Sequence, residues 1–171
     1  MILSGKIFFT KATKDHAKEH LGKQGMNKKT MTDFMIREYR PGDFHGIMHL
    51  WEATDMGRPE RGDNEIIIEE SIRMGGCMLV MEEKETGVII GTSWMTFDGR
   101  RIHLHHFGIL PGYQGNGLSK PLLSESLRFV KNKGFQVKIE VHRKNLKALN
   151  LYKNAGFEYL GDYDVYIKRN I

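Results

Sequence analysis

The chain has little with which to staple itself, cross a bilayer or cover a polyanion. Cysteine occurs once, as Cys77. That excludes an internal disulfide and a cysteine-rich metal site, and it fits a reducing compartment. No apolar run approaches the roughly 18 to 20 residues that span a bilayer. The apolar start, Met1 to Phe9, is interrupted by Ser4, Gly5 and Lys6 and makes a poor secretion signal. A cytoplasmic location without membrane contact is therefore expected. The net charge of +5 is unevenly spread. Residues 1–34 hold seven lysines against three acidic residues, which leaves only +1 on the rest. Nucleic-acid binding needs a basic patch concentrated on the folded body, so the charge pattern argues against it. What remains, 40% apolar and 27% charged in 171 residues, is one globular domain with a real core.

Residues 1–34 form a polar, lysine-rich leader that buries too little to offset its ordering entropy. The domain proper is expected over 35–171. MIREY, from Met35, reads as a first strand, followed by the turn Pro41-Gly42-Asp43. Phe44, Ile47, Met48 and Trp51 then recur at helical spacing. Asp63-Asn64 opens a second helix carrying Ile66, Ile67, Glu70 and Ile72, which stops at Gly75-Gly76. CMLVME, VIIGTSWMTF and RIHLHHFGIL are three strand candidates, the first two joined as a hairpin through Glu83 to Gly87. Gly117 to Lys133 reads as a long helix, Phe135 to Val141 as a strand, and Asn145 to Ala155 as a helix ended by Gly156. FEYLG and DVYIKR predict a closing hairpin. The order β-α-α-β-β-β-α-β-α-β-β is that of an α/β layer fold.

The most informative stretch is His105 to Leu123, HHFGILPGYQGNGLSKPLL. A buried strand ends at Leu110, Pro111-Gly112 turns the chain, and Gln114 to Ser119 leads into a helix. Glycines admit positive φ and a close ligand, while the first helical turn offers unpaired N–H donors. Together they make a seat for a pyrophosphate, although a generic glycine turn explains two of these glycines. Neither the Walker A spacing nor the Rossmann fingerprint is present. In the second segment, KIEVHRKNLKALNLYKNAGF, Asn145 stands at a helix start and Tyr152 two turns on, near the same face. Asn145 can cap the helix or bond a ligand's amides. Tyr152 can pack in the core or offer its hydroxyl to a leaving thiolate.

On these motifs, Met35 to Arg169 resembles the GNAT superfamily of N-acetyltransferases. Gln114-x-x-Gly117-x-Ser119 matches the family's Gln/Arg-x-x-Gly-x-Gly/Ala, with serine in the last place. The series Asn145, Tyr152, Gly156-Phe157 is intact. The resemblance implies the acyl-CoA N-acyltransferase fold, a mixed central sheet flanked by helices, with acetyl-CoA as cofactor. It implies that the backbone of Phe107, Gly108 and Ile109 pairs with the pantetheine arm. The amides of Gln114, Gly115, Asn116, Gly117, Leu118 and Ser119 would hold the pyrophosphate, Asn145 would touch pantetheine, and Tyr152 would protonate the departing thiolate. It also implies that the strands ending at Leu110 and beginning near Gln136 splay apart. The stretch Glu140 to Tyr152 is similar to ribosomal-protein N-terminal acetyltransferases, whose matching glutamate is the base.

An amine attacking a thioester must be neutral, and a lysine-like amine has a pKa of about 10.4, so a general base assists. The ordering of candidates is Glu140, then His105, then His103. Strand alternation places His103, His105, Phe107 and Ile109 on one face unless a bulge shifts the phase. His103 and His105 also resemble the proton-relay histidines of serotonin acetyltransferase, and His103 lies where histone-type members carry the basic glutamate. An exposed or internally satisfied histidine pair is the plainer explanation. A metal would need a third ligand, and none is evident nearby. Trp51, Glu52, Asp55, Glu60, Asp63, Asp162 and Asp164 are candidate linings of an acceptor pocket, acidic enough to suit a cationic amine. The expected activity is transfer of acetyl from acetyl-CoA to a small amine, a peptide N-terminus or a lysine, and a homodimer is compatible with it. The alternatives are a non-catalytic acyl-CoA sensor or structural module, and a nucleotide enzyme, for which no Mg²⁺-binding carboxylate stands beside the glycine loop.

Overall fold

Three consecutive apolar runs in mid-chain build the centre of a sheet that is covered on both faces. A computed structural model describes residues 31–57, 62–162 and 164–169. Its strands are β1 (Phe34–Glu38), β2 (Cys77–Glu83), β3 (Ile89–Phe97), β4 (Arg101–Ile109) and β5 (Gln136–Ile139). They lie side by side in that order. The pairs from β1 to β4 are antiparallel, and β4–β5 is parallel. The helices are α1 (Phe44–Ala53), α2 (Glu65–Arg73), α3 (Ser119–Lys133) and α4 (Leu146–Asn154).

β2 and β3 are buried along nearly their whole length, as strands sandwiched between helical layers must be. On one face, Ile47, Leu50, Trp51 and Ile68 from α1 and α2 pack on Met78, Val80, Ile89 and Trp94. On the other, Leu122, Leu123 and Val130 of α3 and Tyr152 of α4 pack on Leu79, Met81, Ile90, Met95, Ile102 and Leu104. Buried polar atoms are paired across the layers. Ser93 and Ser126 share a hydroxyl bond of 2.7 Å, and Trp94 Nε1 donates to Ser71 Oγ at 2.7 Å. Unpaired, each such group would be costly in this interior.

The expected strands and helices form, with three differences. First, order begins before residue 35. Met31–Asp33 makes a helical turn, Phe34 is buried in β1, and the Lys84 amide donates to Asp33 O at 2.9 Å. The remaining residues of the leader, including Met1 to Phe9, lie outside the described residues. Second, α2 buries a different stripe. Ile68 is fully buried with Ile72 beside it, while Ile66 is 70% and Ile67 46% exposed. The cap sets the phase: Asn64 accepts from the Ile67 amide at 3.0 Å. Third, no strand forms over 157–169 among the described residues, so the closing hairpin is absent there. Tyr159, Leu160, Val165, Tyr166 and Ile167 are all strongly exposed. Alternating β-formers make a strand only against a partner edge and a surface to bury, and no strand pairing is seen for this segment among the described residues.

Gly76 sits where α2 turns into β2. A Cβ there would lie 2.4 Å from Met95 O and 2.7 Å from Ser71 O, both backbone atoms. Gly76→Ala is therefore expected to destabilise the domain by about 1–3 kcal/mol in denaturant unfolding. A change below about 0.5 kcal/mol, the range of surface substitutions, would show that this corner is looser than described.

Candidate active site

β4 and β5 pair from Arg101↔Gln136 to Leu104↔Ile139 and then part. β5 ends there, while β4 runs on to Ile109. The stretch from His105 to Ile109 thus has β3 on one side and no strand on the other among the described residues. An unpaired strand edge offers alternating donors and acceptors to any extended ligand.

The same stretch carries a bulge. Trp94 pairs with His105 and Thr92 with Gly108, so two steps along β3 face three along β4. His106 absorbs the extra residue at φ +39°. This overturns simple alternation. His103 and His105 stay together, with rings 3.9 Å apart, on the α1/α2 face. His106 joins them there, 4.2 Å from the Trp51 ring and 5.4 Å from Trp94. Phe107 and Ile109 go to the opposite face, into the α3 core.

After β4 the chain is tied down before it turns. Leu110 N donates to Ile90 O at 2.7 Å, and Gln114 Nε2 donates back to Ile109 O at 2.8 Å. Gly115 and Gly117 adopt φ of +82° and +77°. Nothing stands within 4 Å of where their Cβ atoms would be, so the space above the loop is open. The amides of Gly115, Asn116, Gly117 and Leu118 donate no hydrogen bond among the described residues, and Leu118 caps α3 without a side-chain bond. Unsatisfied donors, open space and the positive end of a 15-residue helix suit a pyrophosphate. An anchor missed by sequence reasoning holds this loop to β2. Tyr113 OH donates to the buried Glu83 at 3.1 Å, and its ring meets Phe34 edge-on at 6.1 Å. Their separation of thirty residues leaves no local signal.

Asn145 caps α4, its Oδ1 accepting from Ala148 N at 3.1 Å. Tyr152 is 6% exposed and meets Phe107 and Phe157 edge-on at 5.9 and 5.5 Å. Burial pushes its hydroxyl above the ordinary tyrosine range, so it stays protonated at neutral pH. The fold thus brings Tyr152 against Phe107, in the stretch of β4 that β5 leaves unpaired among the described residues.

On the α1/α2 face stands an ionisable cluster. Lys138 Nζ lies 3.0 Å and His103 Nε2 3.9 Å from Glu140 Oε1. The Lys138 bond holds the Glu140 carboxyl below its usual range. His105 Nε2 is 2.9 Å from Thr96 Oγ1. Burial, then repulsion from His103 and His106, pushes His105 down to about 4, and burial also lowers His103. Both imidazoles are neutral at neutral pH. Asp63 Oδ2 lies 3.0 Å from His106 Nε2, a pair that sequence reasoning did not join.

The acceptor linings are not all gathered here. Trp51 is wholly buried and donates from Nε1 to Thr92 Oγ1 at 3.0 Å, so it is core rather than lining. Asp162 accepts from Tyr159 OH at 2.5 Å on the exposed end of the chain. Glu60 lies outside the described residues. Asp63 reaches β4 through its side chain, at His106.

A family model for acetyltransferases of the GNAT type matches residues 44–157, from α1 past the end of α4. Solved structures share the architecture. An acetyltransferase of Trypanosoma brucei superposes with a TM-score of 0.65 at 22% identity, over 80% of this chain and 99% of that one. Glucosamine-6-phosphate N-acetyltransferase of Arabidopsis thaliana gives 0.63 at 19% identity, over 78% and 97%. A ribosomal-protein alanine N-acetyltransferase of Escherichia coli gives 0.62 at 17% identity, over 73% and 77%. With the parted strands, the open glycine loop and a family match across two thirds of its length, the chain belongs to the GNAT family of acetyltransferases.

Proposed function

We propose that the protein moves the acetyl group of acetyl-CoA to a primary amine by direct attack, the acceptor being a small amine, a peptide N-terminus or a lysine side chain. The observation that carries this reading is the gap between β4 and β5, with donors of the glycine loop at one end and Tyr152 against its edge. Acetyl-CoA supplies, when bound, a thioester carbonyl and a thiolate leaving group. The amides from Gly115 to Ser119 hold its pyrophosphate, while the Gln114 amide is spent on Pro111 O at 3.2 Å, and Phe107 to Ile109 pair with its pantetheine arm. Asn145 spends Oδ1 on its cap and keeps Nδ2 for the same arm.

The two faces divide the proton work. Tyr152, protonated on the α3/α4 side, gives a proton to the departing sulfur. On the other side, neutral His105 and His103 receive the amine proton and pass it to Glu140, whose half-exposed carboxylate returns it to solvent. Each imidazole binds a proton weakly, so neither retains it. A backbone N–H of the splayed strand meets the developing negative charge in this reading.

Four outcomes test this reading. Tyr152→Phe is expected to lower kcat about 10- to 100-fold while the Kd for acetyl-CoA stays within about twofold; unchanged turnover would remove Tyr152 from the acid role. Gly117→Val forces a branched side chain into φ +77° and is expected to weaken acetyl-CoA binding at least about tenfold by calorimetry. If affinity is unchanged, the pyrophosphate sits elsewhere. Because His105 titrates at about 4, kcat/KM should show no imidazole step near pH 6.5 and should fall only as His105 gains its proton at lower pH. A step near 6.5 that vanishes in His105→Asn would reverse the assignment. Glu140→Gln is expected to slow turnover about 100-fold.

A further inference from the structure

The proton path leaves one imidazole unused. His106 sits on the bulge with a φ that L side chains rarely adopt, so something must hold it. Its ring packs against both Trp51 and Trp94, whose own rings stack on each other at 5.9 Å. Its carbonyl accepts from Thr92 Oγ1 at 2.8 Å, and that oxygen accepts from Trp51 Nε1 at 3.0 Å. Its Nε2 lies 3.0 Å from Asp63 Oδ2, a contact at ion-pair distance that is not aligned as a hydrogen bond. The two side chains are 7% and 18% exposed.

These contacts come from separate elements. Trp51 belongs to α1, Thr92 and Trp94 to β3, and Asp63 to the chain entering α2, one residue before its cap Asn64. Beyond the bulge, Phe107 turns to Tyr152, and Met56 on the α1/α2 side packs on Gly108, where a Cβ would lie 2.5 Å from Met56 Cε. The segment that covers the acceptor face therefore meets the cofactor strand at Met56–Gly108 and at Asp63–His106. Of these two contacts the Asp63–His106 one is polar, and it acts on the residue that sets the strand's geometry.

We propose that Asp63 and His106 form a latch, a positioning pair that docks the chain entering α2 onto the β4 bulge and so fixes how the acceptor amine approaches the thioester. The proposal rests on the acetyltransferase reading above. A half-buried carboxylate facing an imidazole is favoured by that contact, and removal of either side chain takes the contact away from the other. The latch thus couples two segments, and cutting it at either end has one consequence.

The test uses the full chain and the variants Asp63→Ala, Asp63→Asn, His106→Ala, His106→Gln and Asp63→Ala/His106→Ala. Hydrogen exchange is followed over 62–74 and 105–109. Steady-state kinetics use the amine that the wild type acetylates. Cutting either end should raise exchange in both segments and lower kcat/KM for the amine about 10- to 100-fold, with acetyl-CoA Kd within about threefold. The double variant should be no worse than the poorer single, because both remove the same contact. His106→Gln, which keeps an N–H near the Nε2 position, should recover part of the loss. Should His106→Ala fail to fold, the half-buried Asp63→Asn still reports on both segments. Exchange that rises only around the mutated residue, losses that multiply in the double variant, or full amine turnover in Asp63→Ala would each overturn the latch. A wild type that acetylates no amine would instead sink the acetyltransferase reading, while the exchange data alone decide whether the two segments are coupled.

Discussion

A strand cannot give the same edge to a neighbour and to a ligand. β4 shares its edge with β5 for only four residue pairs, and the site occupies what β5 leaves. The geometry on either side follows from that limit. The bulge at His106 turns Phe107 and Ile109 into the α3 core, so the exposed edge is anchored from below by large apolar side chains. The turn after Leu110 is tied to β3 and β4 by Leu110 N and Gln114 Nε2, which delivers the glycine loop to the end of the same gap. The open edge is stable because what surrounds it is over-determined.

The bulge also separates two chemistries. With strict alternation, the histidines would share a face with Phe107 and hence with Tyr152. The extra residue puts the imidazoles on the α1/α2 side and leaves Tyr152 alone on the other. Burial then acts on each set in a useful direction. It keeps the Tyr152 hydroxyl protonated and His103 and His105 deprotonated, because in every case it disfavours the charged form. Glu140 is governed instead by Lys138, at 3.0 Å, and remains an anion. An un-ionised phenol and neutral imidazoles thus stand on opposite faces of the sheet at neutral pH.

Much of this was legible in the sequence because its signals are local. Periodicity located α1, α3 and α4, and Asn64 and Asn145 marked helix starts that their side chains do cap. The glycine loop and Tyr152 were recognisable from spacing. What could not be read depends on pairing across the sheet. The side of β4 on which Phe107 lies is decided by one extra residue opposite Ser93, and no residue type in HLHHFGI announces it. The Asp63–His106 and Glu83–Tyr113 contacts join residues forty-three and thirty apart, which only the assembled layers bring together. The closing hairpin failed for a related reason. FEYLG and DVYIKR alternate well, but alternation reports a capacity to pair and not the presence of a partner.

An open edge is also a hazard, since it can pair with any extended chain, and the surroundings of this one limit that. β5 is four residues long and carries Lys138, a charge that opposes stacking of a second sheet. Phe135, just before it, is folded back on Phe97 with ring centroids 4.6 Å apart rather than left to seed contact. On the other side of the gap, α4 lays Tyr152 against Phe107, and Phe157, just beyond α4, backs Tyr152, narrowing the approach to that side. An intruding strand needs a flat, two-sided edge. The bulge twists this one and the flanking helices wall it, so a thin, flexible chain with its own amides suits the gap better than a second polypeptide.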